Sequence, residues 1–289
     1  SELIIKIKEP QESEYQFLTP QHTLFTYLHL AASDVLTAAL LKSGATCIAY
    51  ETVQKSDGYL PLLQPMSEIA GRLSVIEGAK YLQKPFGGKG KLISGAPGVA
   101  PASVVILGGG AVGSHAARMA SGLGAHVTLF DKNLQRIRYL EEWMPQNVRS
   151  LYSTQASILK SIATADIVVG AVLVPGKEAP KLIRREHLRQ MEPGTVLVDV
   201  AIDQGGCFET SRPTTHKEPV FAIDDIVHYC VANMPGSVPR TSTEALNNAT
   251  LPYVLELANK GVDNALAENK ELAKGLNIQS NRLVFPIGS

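Results

Sequence analysis

The chain has 289 residues, 45% of them hydrophobic, with 27 basic residues balancing 27 acidic ones. Such a length supports a sizeable core in about two domains, and the neutral balance offers no field to gather nucleic acid or an anionic membrane. No apolar run approaches the roughly 20 residues that span a bilayer. The three cysteines (Cys47, Cys207 and Cys230) are odd in number and scattered, which points to reduced thiols in the cytoplasm and excludes both a disulfide framework and zinc-ligand spacing.

In chain order, SELIIKIKEP alternates as a strand, with Ile5 and Ile7 on one face and Lys6 and Lys8 on the other. It has no signal-peptide order, and a domain opening in mid-strand leads to the expectation that a segment is missing upstream. The stretch TLFTYLHLAAS at 23–33 then sets His29 inside an apolar run. Such a histidine is either a core group held by a backbone partner or an acid/base at a pocket edge. Periodicity does not separate the two. PLLQPMSEIAGRLSVIEGAKYL is predicted helical, with Ser67 near its start, and carries the chain towards a second domain.

Residues 103–131, SVVILGGGAVGSHAARMASGLGAHVTLFD, are the most informative. An apolar run meets Gly108-x-Gly110-x-x-Gly113, a helical stretch follows, and the next apolar run ends at Asp131, 21 residues after Gly110. Gly108 permits a tight strand-to-helix turn, Gly110 lets the backbone approach a pyrophosphate, and Gly113 lets helix pack closely on strand. The helix N-terminus then offers N–H groups and positive dipole to phosphates. Asp131 accepts the ribose hydroxyls and repels a 2′-phosphate, which favours NAD over NADP. Lys132 and Arg136 lie near enough to soften that preference, or are solvated helix-face charges.

Further strands are predicted at 166–171, 195–202, 220–223 and 228–232, giving a parallel, doubly wound sheet whose ligands sit beyond the carboxyl ends of the strands. Asp199, inside its strand, is read as structural. Asp203, at the strand's end before Gly205 and Gly206, is either a turn residue or a functional acid. RTSTEALNNATLPYVLELANKG is predicted as a helix with a capping box at Thr241 and Glu244, kinked or interrupted at Pro252. The fold class is α/β: a Rossmann-type domain over 62–239, and a second, discontinuous α/β substrate domain over 1–61 and 240–289, incomplete at its N-terminus. The substrate is expected in the cleft between them.

Together KIKEP, LFTYLHLAAS, IAYETVQ, PLLQPMSEIAGRL, the GGGAVG turn, GAVLVPGKEAPKLI, VLVDVAIDQGGCFETSRPTTH, YCVANMPGSVPRTST and LPYVLELANKG resemble the L-alanine dehydrogenase family, with transhydrogenase nucleotide-binding domains as more distant relatives. The resemblance implies NAD-dependent, reversible oxidative deamination of L-alanine to pyruvate and ammonia by a cytoplasmic homohexamer. It places the substrate lysine at Lys8, with Lys6 as competitor, the acid/base at His29 and the catalytic aspartate at Asp203. It places NAD contacts at Ser67, Asp131, Arg136, Ser153, Val172, Asp203, Val231, Asn233 and Met234, besides the three glycines of the turn. The family's NEYR-like segment, whose arginine clamps the substrate carboxylate, has no match here. The chain is therefore expected to bind NAD but to turn over alanine poorly. A non-catalytic NAD-binding remnant and a transhydrogenase-like subunit are the alternatives.

Overall fold

The computed structural model describes residues 1–172 and 179–285. The first elements are β1 (Leu3–Ile5), β2 (Thr23–Thr26), α1 (Asp34–Ser43), β3 (Thr46–Ala49) and α2 (Gln64–Tyr81). The central ones are β4 (Ser103–Leu107), α3 (Ala111–Gly122), β5 (His126–Asp131), α4 (Leu134–Trp143), β6 (Val148–Tyr152), α5 (Gln155–Ile162), β7 (Ile167–Gly170), β8 (Val196–Asp199), β9 (Val220–Ile223) and β10 (Ile226–Tyr229). The last are α6 (Pro239–Lys260), α7 (Val262–Glu268), α8 (Lys270–Ala273), β11 (Leu276–Gln279) and β12 (Arg282–Leu283). Two compact units result: Ser1–Met66 with Arg240–Ser289, and Ser67–Pro239.

In the first unit the sheet order is β1-β2-β3-β11-β12, with β1, β2 and β3 parallel and β11 and β12 antiparallel. Strand alternation puts Leu24, Cys47 and Ala49 with Leu36 and Leu40 of α1 in one cluster. Phe25, Ile48 and Tyr50 join Leu246, Leu257 and Leu272 from α6–α8 in another. The sheet is thus buried on both faces. β1 is shorter than its pattern suggests: it ends at Ile5, and Ile5 and Ile7 are 42% and 54% exposed. Lys6 and Lys8 therefore do not share a strand face. Helix α6 starts at Pro239, so Thr241 lies within the first turn rather than at the cap, and the helix runs unbroken through Pro252 to Lys260. Packing of Leu246 and Leu257 into the core outweighs the one backbone bond a proline removes.

In the second unit the sheet order is β6-β5-β4-β7-β8-β10-β9. Pairing is parallel from β6 to β10, and β9 is antiparallel on β10 at the edge, which corrects the all-parallel expectation. The β9–β10 link is a tight turn through Asp224 and Asp225, both left-handed, and a turn this short joins only antiparallel strands. The chain reverses direction across the sheet between β4 and β7, the switch point of a doubly wound fold.

Beneath the switch point, Asp166 ties the starts of β4 and β7 together. Its carboxylate, 2% exposed, accepts from Ser103 N–H at 2.8 Å, Lys91 Nζ at 2.7 Å and Lys89 Nζ at 3.1 Å. Burial opposes ionisation, but the bonds from Lys91, Ser103 and Lys89 outweigh it and hold the carboxyl below its usual range. A depressed folded-state pKa contributes stability that is present above the unfolded value of about 3.9 and is lost as pH falls through the folded one. Asp166→Asn is expected to cost about 1 to 3 kcal/mol at neutral pH, because it removes the carboxylate that Lys91, Lys89 and the Ser103 N–H share, and to flatten the acid limb below about pH 4. Chemical denaturation of both proteins at pH 7 and pH 3 checks this; equal stability at pH 7 would refute the clamp.

Candidate functional site

Every parallel strand of the second unit ends on one edge, and the cofactor candidates gather there, apart from Ser67 on the first turns of α2. β4 runs into Gly108, which has φ +105° and whose Cβ would lie 2.6 Å from Ala171 O, at the end of β7. At Gly113 a Cβ would meet Gly108 O at 1.7 Å. The fold itself demands glycine at both positions. Gly110 differs, since a Cβ there would meet nothing within 4 Å. No atom of the described residues explains that glycine, whereas a phosphate approaching the N-terminus of α3 would.

Asp131 closes β5 with both oxygens engaged. Oδ2 accepts from Gly109 N–H and Oδ1 from Asn133 N–H, each at 2.7 Å. Arg136 is not a solvated helix-face charge: its Nε donates to Gly109 O at 2.6 Å, and its guanidinium sits 5.0 Å from the Tyr139 ring centre. Lys132 is exposed. Ser153, just past β6, donates its N–H to Asp131 O at 2.9 Å, and Val172, just past β7, lies against the Gly108 turn. Beyond β10, Val231 and Met234 are buried, while Asn233 is exposed and left-handed with φ +55°. Its carbonyl accepts from His216 Nε2 at 3.2 Å.

β8 ends at Asp199, three residues before the predicted strand end, and Asp203 lies in a 3₁₀ turn over Ile202–Gln204. Asp203 is exposed, and its carboxylate has no partner among the described residues. Asp199 is fully buried and accepts from Cys207, Phe208 and Ala201 N–H at 2.8, 3.3 and 3.1 Å and from Ser211 Oγ at 2.5 Å. Burial pushes its carboxyl above the ordinary range, and those four bonds only partly counter it. The structural reading of Asp199 holds.

In the first unit Lys8, His29 and Glu51 follow three adjacent parallel strands. Lys8 O accepts from Thr26 Oγ1 at 3.0 Å, which holds the lysine beside the end of β2. Its ammonium is exposed and has no partner among the described residues, whereas Lys6 is paired with Glu14. This distinguishes two lysines that the strand pattern left equivalent. His29 is a non-glycine residue at φ +50°, its side chain 45% exposed and its ring stacked 5.8 Å from Tyr27. It is not a core histidine. Backbone strain of this kind persists only where surroundings enforce it, and Glu51 does so: its carboxylate accepts the N–H groups of Leu28 at 3.0 Å and His29 at 2.6 Å. His29 Nδ1 lies 4.0 Å from the same Oε1.

Sequence reasoning missed Glu51. The available signal was an acid just past TCIA, in a strand pairing Ala49 with Thr26. Two buried oxygens without a partner among the described residues flank the candidates: Glu9 Oε2 beside Lys8 and Gln204 Oε1 beside Asp203. Buried acceptors are rarely left so, and a polar ligand would satisfy them.

Residues 1–70 match the family described as alanine dehydrogenase/PNT, N-terminal domain, and residues 74–286 its C-terminal domain. The family's N-terminal domain is therefore present in this chain. The alanine dehydrogenase of Halomonas elongata is 56% identical over 99% of this chain and 77% of its own length. That of Mycolicibacterium smegmatis is 55% identical over 98% and 76%. A solved L-alanine dehydrogenase superposes with a TM-score of 0.95 at 54% identity, covering 99% of this chain and 79% of that one. Transhydrogenase from Sinorhizobium meliloti, at 20% identity, TM-score 0.80, 98% of this chain and 81% of its own, shares the fold. This chain belongs to the alanine dehydrogenase/PNT family.

Proposed function

We propose that this chain is an NAD-dependent alanine dehydrogenase that interconverts L-alanine with pyruvate and ammonia. The observation that carries this reading is its 56% identity to an alanine dehydrogenase over nearly its whole length; the geometry supplies residues suited to the chemistry. The glycine turn, the open space at Gly110 and the N-terminus of α3 would hold the pyrophosphate of NAD, and Asp131 the adenosine ribose. Ser67, Arg136, Ser153, Val172 and Val231–Met234 would complete the cradle. NAD, when bound, accepts the hydride leaving the alanine α-carbon.

Lys8 holds the substrate carboxylate through charge-assisted bonds. His29 takes a proton from the reacting amine or water and returns one to the departing ammonia. Glu51 fixes the loop that presents the imidazole, and Asp203 orients the amine or water and stabilises developing positive charge. We further propose, on the family resemblance, a homohexamer in the cytoplasm serving L-alanine catabolism. Three buried cysteines without disulfides fit a reducing compartment, and among the described residues no helix is long and apolar enough to cross a membrane.

Gly110→Ala separates fold from cofactor. The added methyl group meets open space, so melting temperature should stay within about 2 °C, equivalent to well under 1 kcal/mol. A Cβ in the path of the pyrophosphate should weaken NAD by roughly tenfold or more, about 1.4 kcal/mol. Thermal unfolding and isothermal titration on the same sample read both effects; unchanged affinity would move the dinucleotide elsewhere. In the wild type, NAD should bind more tightly than NADP because the Asp131 carboxylate is fixed at the ribose position. Equal or tighter NADP binding would mean that Arg136 neutralises it.

His29→Ala should lower the rate of NADH formation from L-alanine by about 10² to 10⁴ and leave NAD affinity within about threefold. A variant that kept near-normal turnover would remove His29 from the chemistry.

A further inference from the structure

The loop that carries Asp203 is held by an acid on its N–H groups and a lysine on its carbonyls. Asp199, buried beneath it, accepts N–H groups on both flanks of Asp203: Ala201 before it, Cys207 and Phe208 after it. Lys181 Nζ donates to the carbonyls of Gly205 and of Gly206, the latter at 2.9 Å. Two residues along, Ala179 N–H donates to Gln204 O at 2.9 Å. The carbonyls of Gly205 and Gly206 are thus held by the lysine and the N–H groups of Cys207 and Phe208 by the aspartate, while backbone bonds hold Gln204. Gly205 and Gly206, both left-handed at φ +84° and +80°, let the chain turn between them. At Gly206 a Cβ would come within 2.6 Å of Asp199 Oδ2, so the loop cannot lie so close with any larger residue there.

Among the described residues nothing bonds to the Asp203 carboxylate itself. Its carboxylate is exposed, while the peptide groups around it are tied down. We propose that Lys181 and Asp199 are positioning residues for Asp203, a cation on the loop's carbonyls and a buried acid on its N–H groups that fix the loop so the carboxylate meets the reacting amine or water in one geometry. This rests on the assignment of Asp203 to the reaction. An acid displaced by about 1 Å from its productive position costs on the order of a hundredfold in rate, so a loosened loop should appear in turnover before it appears in stability.

Lys181 is the cleaner test because it is exposed and its removal leaves the Asp199 anchor in place. Lys181→Ala should lower kcat for alanine oxidation about tenfold, with kcat/KM falling in proportion, as for an interaction needed only in the transition state. NAD affinity should stay within about threefold and melting temperature should barely change. Lys181→Arg, which keeps a cationic donor, should restore most of the rate. Asp199→Asn, which turns an amide N–H towards either the Ala201 N–H or those of Cys207 and Phe208, should cost about a hundredfold if it folds; Ser211→Ala, which removes the 2.5 Å hydroxyl contact and keeps the backbone bonds, serves if it does not, with a several-fold loss expected.

Full turnover in Lys181→Ala overturns the proposal. So does a raised alanine KM with kcat unchanged, which would make Lys181 a substrate contact. A parallel fall in melting temperature and NAD affinity would make it merely structural, and also overturns it. Asp203→Asn is the separate control: if that variant turns over alanine normally, the assignment of Asp203 fails, whereas if only Asp203→Asn is impaired, the clamp alone fails.

Discussion

Parallel pairing is the constraint from which the rest follows. Strands that run the same way must all end on one edge, and the connections that return the chain are forced to the opposite edge or across the faces. In the second unit this collects the Gly108 turn, Asp131, Ser153, Val172, Asp203 and Val231 from six strands separated by more than a hundred residues of sequence. In the first unit the same rule brings Lys8, His29 and Glu51 to the ends of β1, β2 and β3. The opposite edge carries a different kind of polar group. There Asp166, Lys89 and Lys91 are spent on one another, and they fasten β4 to β7 where the winding reverses.

How much of this the sequence disclosed depends on the range of the interaction. The glycine turn was readable because each glycine answers a local steric demand within a few residues, and its flanking strands are uniformly apolar. Element ends were less so. β1 stops at Ile5, opposite Phe25, although its alternation runs on to Lys8; past that point β2 holds the chain through Phe25 O and the Thr26 hydroxyl rather than through a continued ladder. Pro252 sits inside α6 because the tertiary contacts of that helix outweigh a local preference that the sequence states clearly. The antiparallel edge at β9 was hidden for the same reason: the turn at Asp224 and Asp225 carries no glycine.

The first boundary between the two units falls inside α2, between Met66 and Ser67. No Gly/Pro-rich or charged linker marks it, so composition is silent there. Glu51 was missed on comparable grounds. Its partners are the backbone N–H groups of Leu28 and His29, more than twenty residues away, and a backbone donor leaves no mark on the sequence. Only the strand register, Thr26 opposite Ala49, could have brought the two loops together.

Backbone donors also explain why the acids of this chain look alike until their partners are known. Asp131 takes the N–H groups of Gly109 and Asn133, Asp199 those of Ala201, Cys207 and Phe208, and Glu51 those of Leu28 and His29. Each is a clip that holds one loop against another, and a carboxylate suits that task because it only accepts, through two oxygens with lone pairs to spare. Asp203 lies among them in sequence and yet clips nothing among the described residues. A carboxylate without a partner among the described residues, beside a tied backbone, gains no stability for the fold, and a merely solvated acid would not require two left-handed glycines and a buried acid holding its loop. The arrangement is intelligible if the loop is rigid for the sake of the side chain it presents. That is the physical content of preorganisation: the cost of holding a charge in place is met on folding, by the neighbours, and not during the reaction.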